Sequence, residues 1–251
     1  KMGLLQIKKW QKDKNIKMIF NLLKKNNEET RFVGGCLRNL ILNKDNDDID
    51  IATTILPKNV HKILKKNKIR TITTGIEHGT VIAILNKKKI EITTLRKDIK
   101  TDGRHAKVKF TKDWYIDSKR RDLTINALSC TFNGKLYDYH NGLKDLEEGR
   151  IKFIGDSEKR IKEDYLRMLR YFRFYGWYGK KKINKKDIKV FKKLSSSLKK
   201  LSSERVYSEF KKILESQNLY EVLNIMKKTK LLKYIILETN DLKRIKFLQN
   251  I

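Results

Sequence analysis

Two aspartates that could bind a metal ion stand two positions apart in the run Asp48-Ile49-Asp50-Ile51, where acidic and β-branched residues alternate. This alternation is typical of a β-strand, whose successive side chains point to opposite faces. The carboxylates should share one face, with Cα atoms roughly 6.5 to 7 Å apart, while the isoleucines enter a core. Like charges this close raise each other's pKa unless water or a cation screens them. The pattern favours Mg²⁺, which takes one or two carboxylates and completes its shell with water and phosphate oxygens.

Groups suited to bind an anion lie just upstream of these aspartates. Gly34-Gly35 lets backbone N–H groups approach a phosphate without a Cβ in the way, and Arg38 offers a positive fork to the same anion. The alternative for an isolated Asp-x-Asp is an edge strand with solvated acids after a glycine turn. Because the glycine pair and the arginine come just before it, the segment predicts a site for phosphate and Mg²⁺ together.

The whole segment, residues 33–54, resembles the first motif of class II tRNA nucleotidyltransferases, the family that contains CCA-adding enzymes and bacterial poly(A) polymerases. That motif is a glycine pair, Arg-Asp, a leucine-rich helix, Asp-x-Asp and a threonine, here Thr53. Asn39 departs from the usual aspartate and removes one negative charge. The resemblance implies that Asp48 and Asp50 are catalytic and hold two Mg²⁺ ions.

A second motif, RRDLTINA at residues 120–127, resembles the family's RRDFTINA with Leu123 in place of phenylalanine. In a helix, Asp122 and Asn126 would lie one turn apart on the same face. There one could accept a hydrogen bond from a ribose hydroxyl and the other could donate one, while Arg121 could contact phosphate. The alternative is a helix whose acid and amide simply face water.

A third stretch, EDYLRMLRYFRF at residues 163–174, resembles the family's EDxxRxLRxxRF motif. Helical spacing predicts that Asp164, Arg167 and the adjacent pair Arg170-Tyr171 lie in a row on one helix face. Alone, an Asp-Arg pair three residues apart is usually a surface ion pair worth a few tenths of a kcal/mol. The resemblance implies instead a nucleotide-selecting face, with Arg170 and Arg173 helping to hold the triphosphate.

Hydrogen-bond chemistry gives that face a specificity. An ionised Asp164 only accepts and Arg167 only donates, which matches the amino donor and ring-nitrogen acceptor of cytosine and of adenine. Guanine and uracil present the reverse polarities and should be rejected. Glu163 would steady Arg167 from the side without touching the base.

A sheet and its flanking helices must position these residues. Glu91, between two isoleucines, projects from one face of this sheet. It is either a third carboxylate of the metal site or a solvated residue at the sheet edge, and the sequence favours neither alternative. The apolar patterns predict helices at residues 4–23 and 57–66, and strands at 69–73, 80–85 and 89–93 beside the Asp-x-Asp strand.

Two further segments bear on which reaction is catalysed. GIEHGTVIAIL, at residues 75–85, resembles a segment of CCA-adding enzymes, and the GRRF-type stretch of bacterial poly(A) polymerases is absent. Residues 97–107 read as a mobile loop resembling the family's flexible loop, with Asp102-Gly103-Arg104-His105 intact. Relatives that add only the two C residues lack or alter this loop, and His105 itself is predicted to be a surface residue.

Composition indicates a polyanionic partner. The 251 residues include 60 Lys and Arg against 29 Asp and Glu, a net charge of +31. Nucleic acid is the leading candidate, although an A+T-rich genome would also enrich lysine, asparagine and isoleucine. The two cysteines, Cys36 and Cys130, lack the spacing of a zinc site, and no apolar run approaches a bilayer span. These features predict the cytoplasm, or secondarily an organelle matrix, and no membrane partner.

The expected fold is α+β: a polymerase-β-like nucleotidyltransferase head with a mixed sheet at residues 1–149, an all-α neck at 150–215, and the start of an RNA-binding helical body at 216–251. The resemblance implies template-independent addition of C and A from CTP and ATP to the 3′ end of tRNA, with Mg²⁺. The alternatives are a poly(A) polymerase, an enzyme that adds only CC or only A, and a decayed basic RNA-binding protein. Because relatives have a longer body and the first residue is lysine, we expect a fragment or an altered start.

Overall fold

The computed structural model describes residues 6–24, 28–44, 48–86, 88–101 and 106–236. The chain divides into two compact units, the first comprising Lys1–Lys100 with Ala106–Leu143, the second Thr101–His105 with Lys144–Ile251. The predicted neck and body both fall in the second unit, and the three-part division stays a prediction. Within the described ranges, no helix has the length and apolar character that crossing a membrane requires.

Up to residue 141 the described chain contains both α-helices and β-strands. The helices are α1 (Lys8–Lys12), α2 (Lys14–Leu23), α3 (Gly34–Ile41), α4 (Pro57–Lys66) and α5 (Trp114–Arg120). The strands are β1 (Thr30–Val33), β2 (Ile49–Thr53), β3 (Arg70–Ile72), β4 (Thr80–Leu85), β5 (Lys88–Thr94), β6 (Arg96–Thr101), β7 (Ala106–Phe110), β8 (Ser129–Cys130) and β9 (Leu136–Tyr137).

One sheet positions the candidate site, in the strand order β3-β4-β5-β2-β1-β8-β9. Strands β2 and β5 run parallel, whereas the other neighbouring strands run antiparallel. The predicted α+β fold with a mixed sheet is therefore confirmed. The aspartate strand, the helix at 57–66 and the strand at 80–85 form where the sequence pattern predicted them.

The apolar core of the first unit holds β1 and β2 against the N-terminal helices. Phe32 of β1 is fully buried, with its ring centroid 4.5 Å from that of Trp10 and 4.6 Å from that of Phe20. The N-terminal segment, predicted as one helix or two, forms two helices because Asp13 caps α2 by accepting from the backbone N–H of Asn15.

The prediction of a mobile loop at residues 97–107 was wrong for the two arms of that segment. Its two arms are the strands β6 and β7, which pair as a separate two-stranded sheet. The predicted loop residues Asp102-Gly103-Arg104-His105 lie outside the described residues. β-Branched Ile99 and Val108 each stand between two charged residues in these arms, a strand pattern that the polar composition obscured.

From residue 142 onward the described chain is mainly helical. The helices are α6 (Gly142–Glu147), α7 (Ser157–Glu163), α8 (Leu166–Tyr178), α9 (Lys185–Leu194), α10 (Ser203–Leu214) and α11 (Leu219–Lys228). Helix α8 packs against α7, α10 and α11. Its fully buried Phe172 lies 5.0 Å, centroid to centroid, from Phe191 of α9. At Gly176 a Cβ would lie 2.3 Å from Ser216 Oγ, so only glycine allows this close approach.

Candidate functional site

The turn between β1 and α3 approaches β2 closely enough to require glycine. Gly34 has φ +73°, and a Cβ built on it would lie 3.2 Å from Asp50 Oδ2 and 3.8 Å from Arg121 Nη1. The next backbone N–H, that of Gly35, donates to the Asp50 carboxylate. A side chain at Gly34 would meet the backbone strain of positive φ and crowd the carboxylate.

Three carboxylates gather at the start of β2. The parallel register of β2 and β5 places Asp50 opposite Glu91, and Asp48 stands just before β2, two residues from Asp50. Burial raises the pKa of Asp50 to about 6, and the negative charges of Glu91 and Asp48 add to this rise. Arg121 and the Gly35 N–H oppose it. Ionised Asp50 is thus destabilised by its surroundings, as expected where a cation can bind.

A cavity of about 410 Å³ opens beside these carboxylates. Its lining comprises Gly35, Cys36, Arg38, Asn39, Asp48, Ile49, Asp50, Ile82, Lys89 and Glu91. Small-molecule sites generally fall in the range of about 300 to 1,000 Å³. Within the described ranges no three Asp, Glu, His or Cys residues form a complete metal cage. The pair Asp48 and Asp50 still fits Mg²⁺, which needs only one or two carboxylates when water and phosphates complete its shell.

Lys89 on the cavity wall is a residue that the sequence reasoning missed. It lies on β5 and is exposed, whereas Ile90 is buried in the core. Residues 89 and 91 share one face of a strand because side chains alternate. The same pattern that placed Glu91 on this face could have placed Lys89 there too.

A buried chain of hydrogen bonds joins the first two sequence motifs. Arg38 Nη1 donates to Asn126 Oδ1 at 2.5 Å, and Asn126 Nδ2 donates to Asp122 Oδ1 at 3.0 Å. Asp122 Oδ1 also accepts from the backbone N–H of Leu123 at 2.8 Å. Arg38, Asn126 and Asp122 each expose less than a tenth of their surface. The guanidinium of Arg38 is therefore held in one orientation at the cavity wall.

The prediction that Asp122 and Asn126 share a helix face was wrong. Helix α5 ends at Arg120, and Arg121 takes an extended conformation, followed by a short 3₁₀ turn at Thr124–Asn126. Asp122 and Asn126 still meet, because the turn folds one side chain onto the other. Their role towards a ribose stays a prediction.

Asp117 organises the arginines of the second motif. Its Oδ1 accepts from Arg120 Nε at 2.8 Å and from the Arg96 backbone N–H at 3.0 Å, and its Oδ2 lies 3.4 Å from Arg121 Nη2. Burial alone would raise the pKa of Asp117, but Arg120 and Arg121 hold it below its ordinary value. Sequence reasoning missed Asp117. Its position three residues before Arg120 and four before Arg121, the spacing of helical ion pairs, could have indicated it.

In the second unit, the structure departs from the helix row predicted for the third motif. Asp164 is not helical: it is extended, between α7 and α8, and its Oδ1 accepts from the Leu166 N–H at 3.1 Å. Arg205 Nη2 donates to both carboxylate oxygens, at 3.2 and 3.0 Å. Tyr171 also leaves the predicted row, because it is buried and donates to Ile151 O at 3.0 Å.

Arg167 does lie on α8, with Glu163 as its ion-pair partner. Arg167 Nη1 lies 2.6 Å from Glu163 Oε2, and Arg160 Nη1 binds the same oxygen. The prediction that Glu163 steadies Arg167 is confirmed. Arg205 was missed as the partner of Asp164, because 41 residues separate the two in the sequence.

Arg170 and Arg173 face a buried acid on α10. Arg173 Nε lies 3.0 Å from Glu209 Oε2, and Arg170 Nη1 lies 3.9 Å from Glu209 Oε1. Glu209 exposes only 6% of its surface, and sequence reasoning did not single it out. Glu209 offsets part of the positive charge that was predicted to hold a triphosphate.

Two family profiles match the chain. The profile described as the poly A polymerase head domain matches residues 30–152, and that described as a probable RNA and SrmB-binding site of polymerase A matches residues 182–243.

Named relatives and a solved structure agree with these profiles. The mitochondrial CCA tRNA nucleotidyltransferase 1 of Homo sapiens is 40% identical over 228 residues, covering 90% of this chain and 52% of that protein. The CCA-adding enzyme of Leuconostoc citreum is 37% identical over 209 residues, covering 82% and 51%. The crystal structure of the Bacillus stearothermophilus CCA-adding enzyme in complex with CTP superposes with a TM-score of 0.76 at 31% identity, covering 85% of this chain and 51% of that one. The chain thus spans about half the length of these relatives.

Proposed function

Because the chain belongs to the family of tRNA nucleotidyltransferases and poly(A) polymerases, we propose that it adds C and A nucleotides from CTP and ATP to the 3′ end of tRNA. The reaction uses no nucleic-acid template and releases pyrophosphate. The observation that carries this proposal is the cavity in which Asp48 and Asp50 stand beside the Gly34-Gly35 turn and Arg38. The names of the relatives, which are CCA-adding enzymes, support the choice of C and A.

In this proposal Asp48 and Asp50 hold Mg²⁺. The chemistry that the ion supplies when bound is stabilisation of negative charge on the triphosphate and acidification of the attacking hydroxyl. The protein contributes the position of the carboxylates, since the Gly35 N–H donates to Asp50. Glu91, opposite Asp50 in the sheet, adds a third negative charge that strengthens attraction for a cation. We include Glu91 among the catalytic residues on this ground.

Binding of the triphosphate is assigned to the cationic groups around the cavity. Arg38 is oriented by Asn126 and presents a fixed fork to phosphate. Arg121 lies near both Gly34 and Asp117, and Lys89 adds a flexible charge from β5. Preorganised groups of this kind stabilise charge without reorganising during the reaction.

Asp122 completes the nucleotide site in this proposal by contacting the ribose with Asn126. The bonds that Asp122 Oδ1 accepts from the Leu123 N–H and from Asn126 Nδ2 fix the orientation of this carboxylate. Arg170 and Arg173 remain proposed phosphate contacts, with Glu209 setting their position.

Reading of the base is assigned to Asp164 and Arg167. Each is held by its own partner, Arg205 for the carboxylate and Glu163 for the guanidinium, so acceptor and donor stay oriented. A carboxylate has about four lone-pair sites and a guanidinium has five N–H donors, so both keep capacity for a base. This arrangement supports use of CTP and ATP and rejection of GTP and UTP.

An RNA partner is supported by charge and by the second profile match. The net charge of +31 suits a polyanion, and the matched RNA-binding profile covers residues 182–243. Affinity for tRNA should fall steeply between about 50 and 200 mM salt, because each neutralised phosphate releases counterions. A tRNA affinity that does not change with salt would show that the positive charge does not contribute to RNA binding.

We also propose a thiol-reducing compartment, the cytoplasm first and an organelle matrix second. Cys36 and Cys130 are both free and buried, and the named relatives include mitochondrial enzymes. Fluorescence localisation of the tagged full-length protein would distinguish the two compartments.

One assay tests the proposed function directly. A tRNA lacking its 3′ end is incubated with each labelled nucleoside triphosphate alone and then with CTP and ATP together. Addition of two C residues followed by one A supports the proposal. Repeated A addition would indicate a poly(A) polymerase, addition of only C or only A a partial enzyme, and no addition a protein that merely binds RNA.

A further inference from the structure

Two exposed tyrosines of the first unit form an aromatic patch that the proposed function does not use. Tyr115 on α5 exposes 44% of its surface and Tyr139, after β9, exposes 37%. Their ring centroids are 5.9 Å apart with the planes inclined at 63°. The ring of His140 stacks on Tyr115 at 5.8 Å, inclined at 23°. These three rings are the stacking patch discussed below.

The patch is held in place from beneath. Tyr139 Oη accepts from Arg31 Nη1 at 3.3 Å, and Arg31 is itself buried with its Cζ 4.0 Å from the Trp114 ring. His140 Nε2 lies 2.8 Å from Ser118 Oγ. Burial lowers the pKa of His140, which favours the neutral ring near pH 7. Exposed aromatic rings with fixed orientations lose little conformational entropy when a planar ligand binds.

A lysine supplies positive charge at the face of one ring of the patch. The Lys119 ammonium lies 4.3 Å from the centroid of the Tyr115 ring. Asp113 caps α5, Asp117 binds the motif arginines, and Asp138 accepts the backbone N–H of Leu143 at 2.9 Å. These three acids therefore hold caps, turns and ion pairs of the local fold, and the Lys119 ammonium lies against the Tyr115 ring.

We propose that this patch is a stacking platform for an unpaired base of the RNA substrate, a contact that deepens the proposed function and rests on it. Aromatic rings next to cations suit single-stranded nucleic acid, because every base has a π-face and every nucleotide a phosphate. A base stacked on Tyr115 displaces the Lys119 ammonium from the ring. That ammonium then pairs with a neighbouring phosphate. The aromatic and basic chemistry favours RNA over an apolar protein surface.

The first experiment measures binding of a tRNA lacking its 3′ end, without nucleotide, to the full chain and to Tyr115→Ala and Tyr139→Ala. Each variant should bind roughly 5- to 100-fold more weakly, the loss expected when one stacked base loses its ring. Tyr115→Phe keeps the ring and should bind as the wild type does. Leu56→Ala, which removes another exposed apolar side chain of the first unit, is the matched control and should also bind normally.

Salt dependence separates the two parts of the contact. Lys119→Ala should reduce the slope of log affinity against log salt by about 0.7 to 0.9, the value for one lost phosphate contact. Tyr115→Ala should weaken binding without changing that slope. At saturating tRNA, the kcat and the KM for CTP should stay as in the wild type for both variants, because neither residue lines the cavity.

A third measurement does not depend on the folding of any variant. The same tRNA carrying 5-iodouridine is irradiated on the wild-type protein, and the crosslinked peptides are mapped. Crosslinks at Tyr115 or Tyr139 support the platform. Unchanged affinity of Tyr115→Ala and Tyr139→Ala, with no crosslink to either ring, overturns it and leaves the patch to a protein contact or to none. Binding is measured without transfer, so failure of the proposed function and failure of the platform give different results.

Discussion

The two regions that carry the candidate chemistry handle charge in opposite ways. In the first unit, burial and the like charges of Glu91 and Asp48 together raise the pKa of Asp50 to about 6. In the second unit, Asp164 and Arg167 each have a partner of opposite charge, within 3.2 Å and at 2.6 Å respectively. One region concentrates negative charge, and the other neutralises each charge with a neighbour.

This difference teaches what each region can do without a ligand. A cluster of like charges is unfavourable until a cation enters, so its stability should depend on metal and on pH. A paired donor and acceptor are already oriented, so they can select among ligands without ordering themselves first. The variants below test whether the cluster of like charges serves nucleotidyl transfer. They also test whether the paired charges serve selection of the base.

The largest effect is expected at the like-charge cluster. Asp48→Ala or Asp50→Ala should reduce transfer by at least about 10³-fold, because metal-assisted charge stabilisation is worth several kcal/mol. Affinity for tRNA should remain nearly intact, since the basic surface supplies it independently. Single-turnover transfer and equilibrium RNA binding measure the two quantities. Substantial transfer by either variant would show that the substituted aspartate does not hold the metal ion.

The next largest effect concerns selection by the paired region. Asp164→Ala should lower the ratio of CTP to UTP incorporation by at least about 10²-fold, since unpaired polar groups at such sites discriminate by up to roughly 10⁴ to 10⁵. CTP and ATP use should weaken together. Arg160→Ala is the control, because Arg160 shares Glu163 with Arg167 but is not assigned to the base. If the ratio of CTP to UTP incorporation is unchanged in both Asp164→Ala and Arg167→Ala, the segment is an ordinary surface ion-pair network and does not read the base.

The third prediction uses stability in place of activity. Folded Asp50 releases its proton near pH 6 but the unfolded residue near pH 3.8, so the native state loses stability as pH rises through this window. Without metal, Asp50→Asn should be more stable than the wild type above pH 6 by at most about 3 kcal/mol, at about 1.4 kcal/mol per pKa unit. The gain should vanish by about pH 4.

Urea denaturation with a chelator, repeated with Mg²⁺, provides the measurement. Mg²⁺ should stabilise the wild type by mass action and have little effect on Asp50→Asn. Equal stability of the two proteins at every pH would show that neither burial nor the neighbouring carboxylates raise the pKa of Asp50 in the folded state.

The smallest effect is expected from removing a partner in the paired region. Arg205→Ala should lower the CTP to UTP ratio only about tenfold, because the Leu166 N–H still holds the Asp164 carboxylate. The same change made in the Asp164→Ala background should add nothing, as expected for residues that act through one another. An additive loss in the double variant would mean that Arg205 contacts the nucleotide itself.

Local sequence patterns determined much of the first unit. Alternation at Asp48-Ile49-Asp50 placed the carboxylates on one face, and the glycine pair before Arg38 indicated the turn. These inferences hold because strand periodicity and glycine conformation depend on neighbouring residues alone. The order of the three motifs along the chain is also a property of the sequence alone, and it was sufficient to indicate the family.

Only the tertiary structure decided which distant groups meet. The parallel pairing of β2 with β5 set Glu91 beside Asp50, and the fold brought Arg38 to Asn126, 88 residues away. Helical spacing also misplaced Asp164, because the chain leaves the helix there and Arg205, 41 residues later, binds its carboxylate. Pairing of charges across such separations depends on how elements pack, and a local pattern carries no information about it.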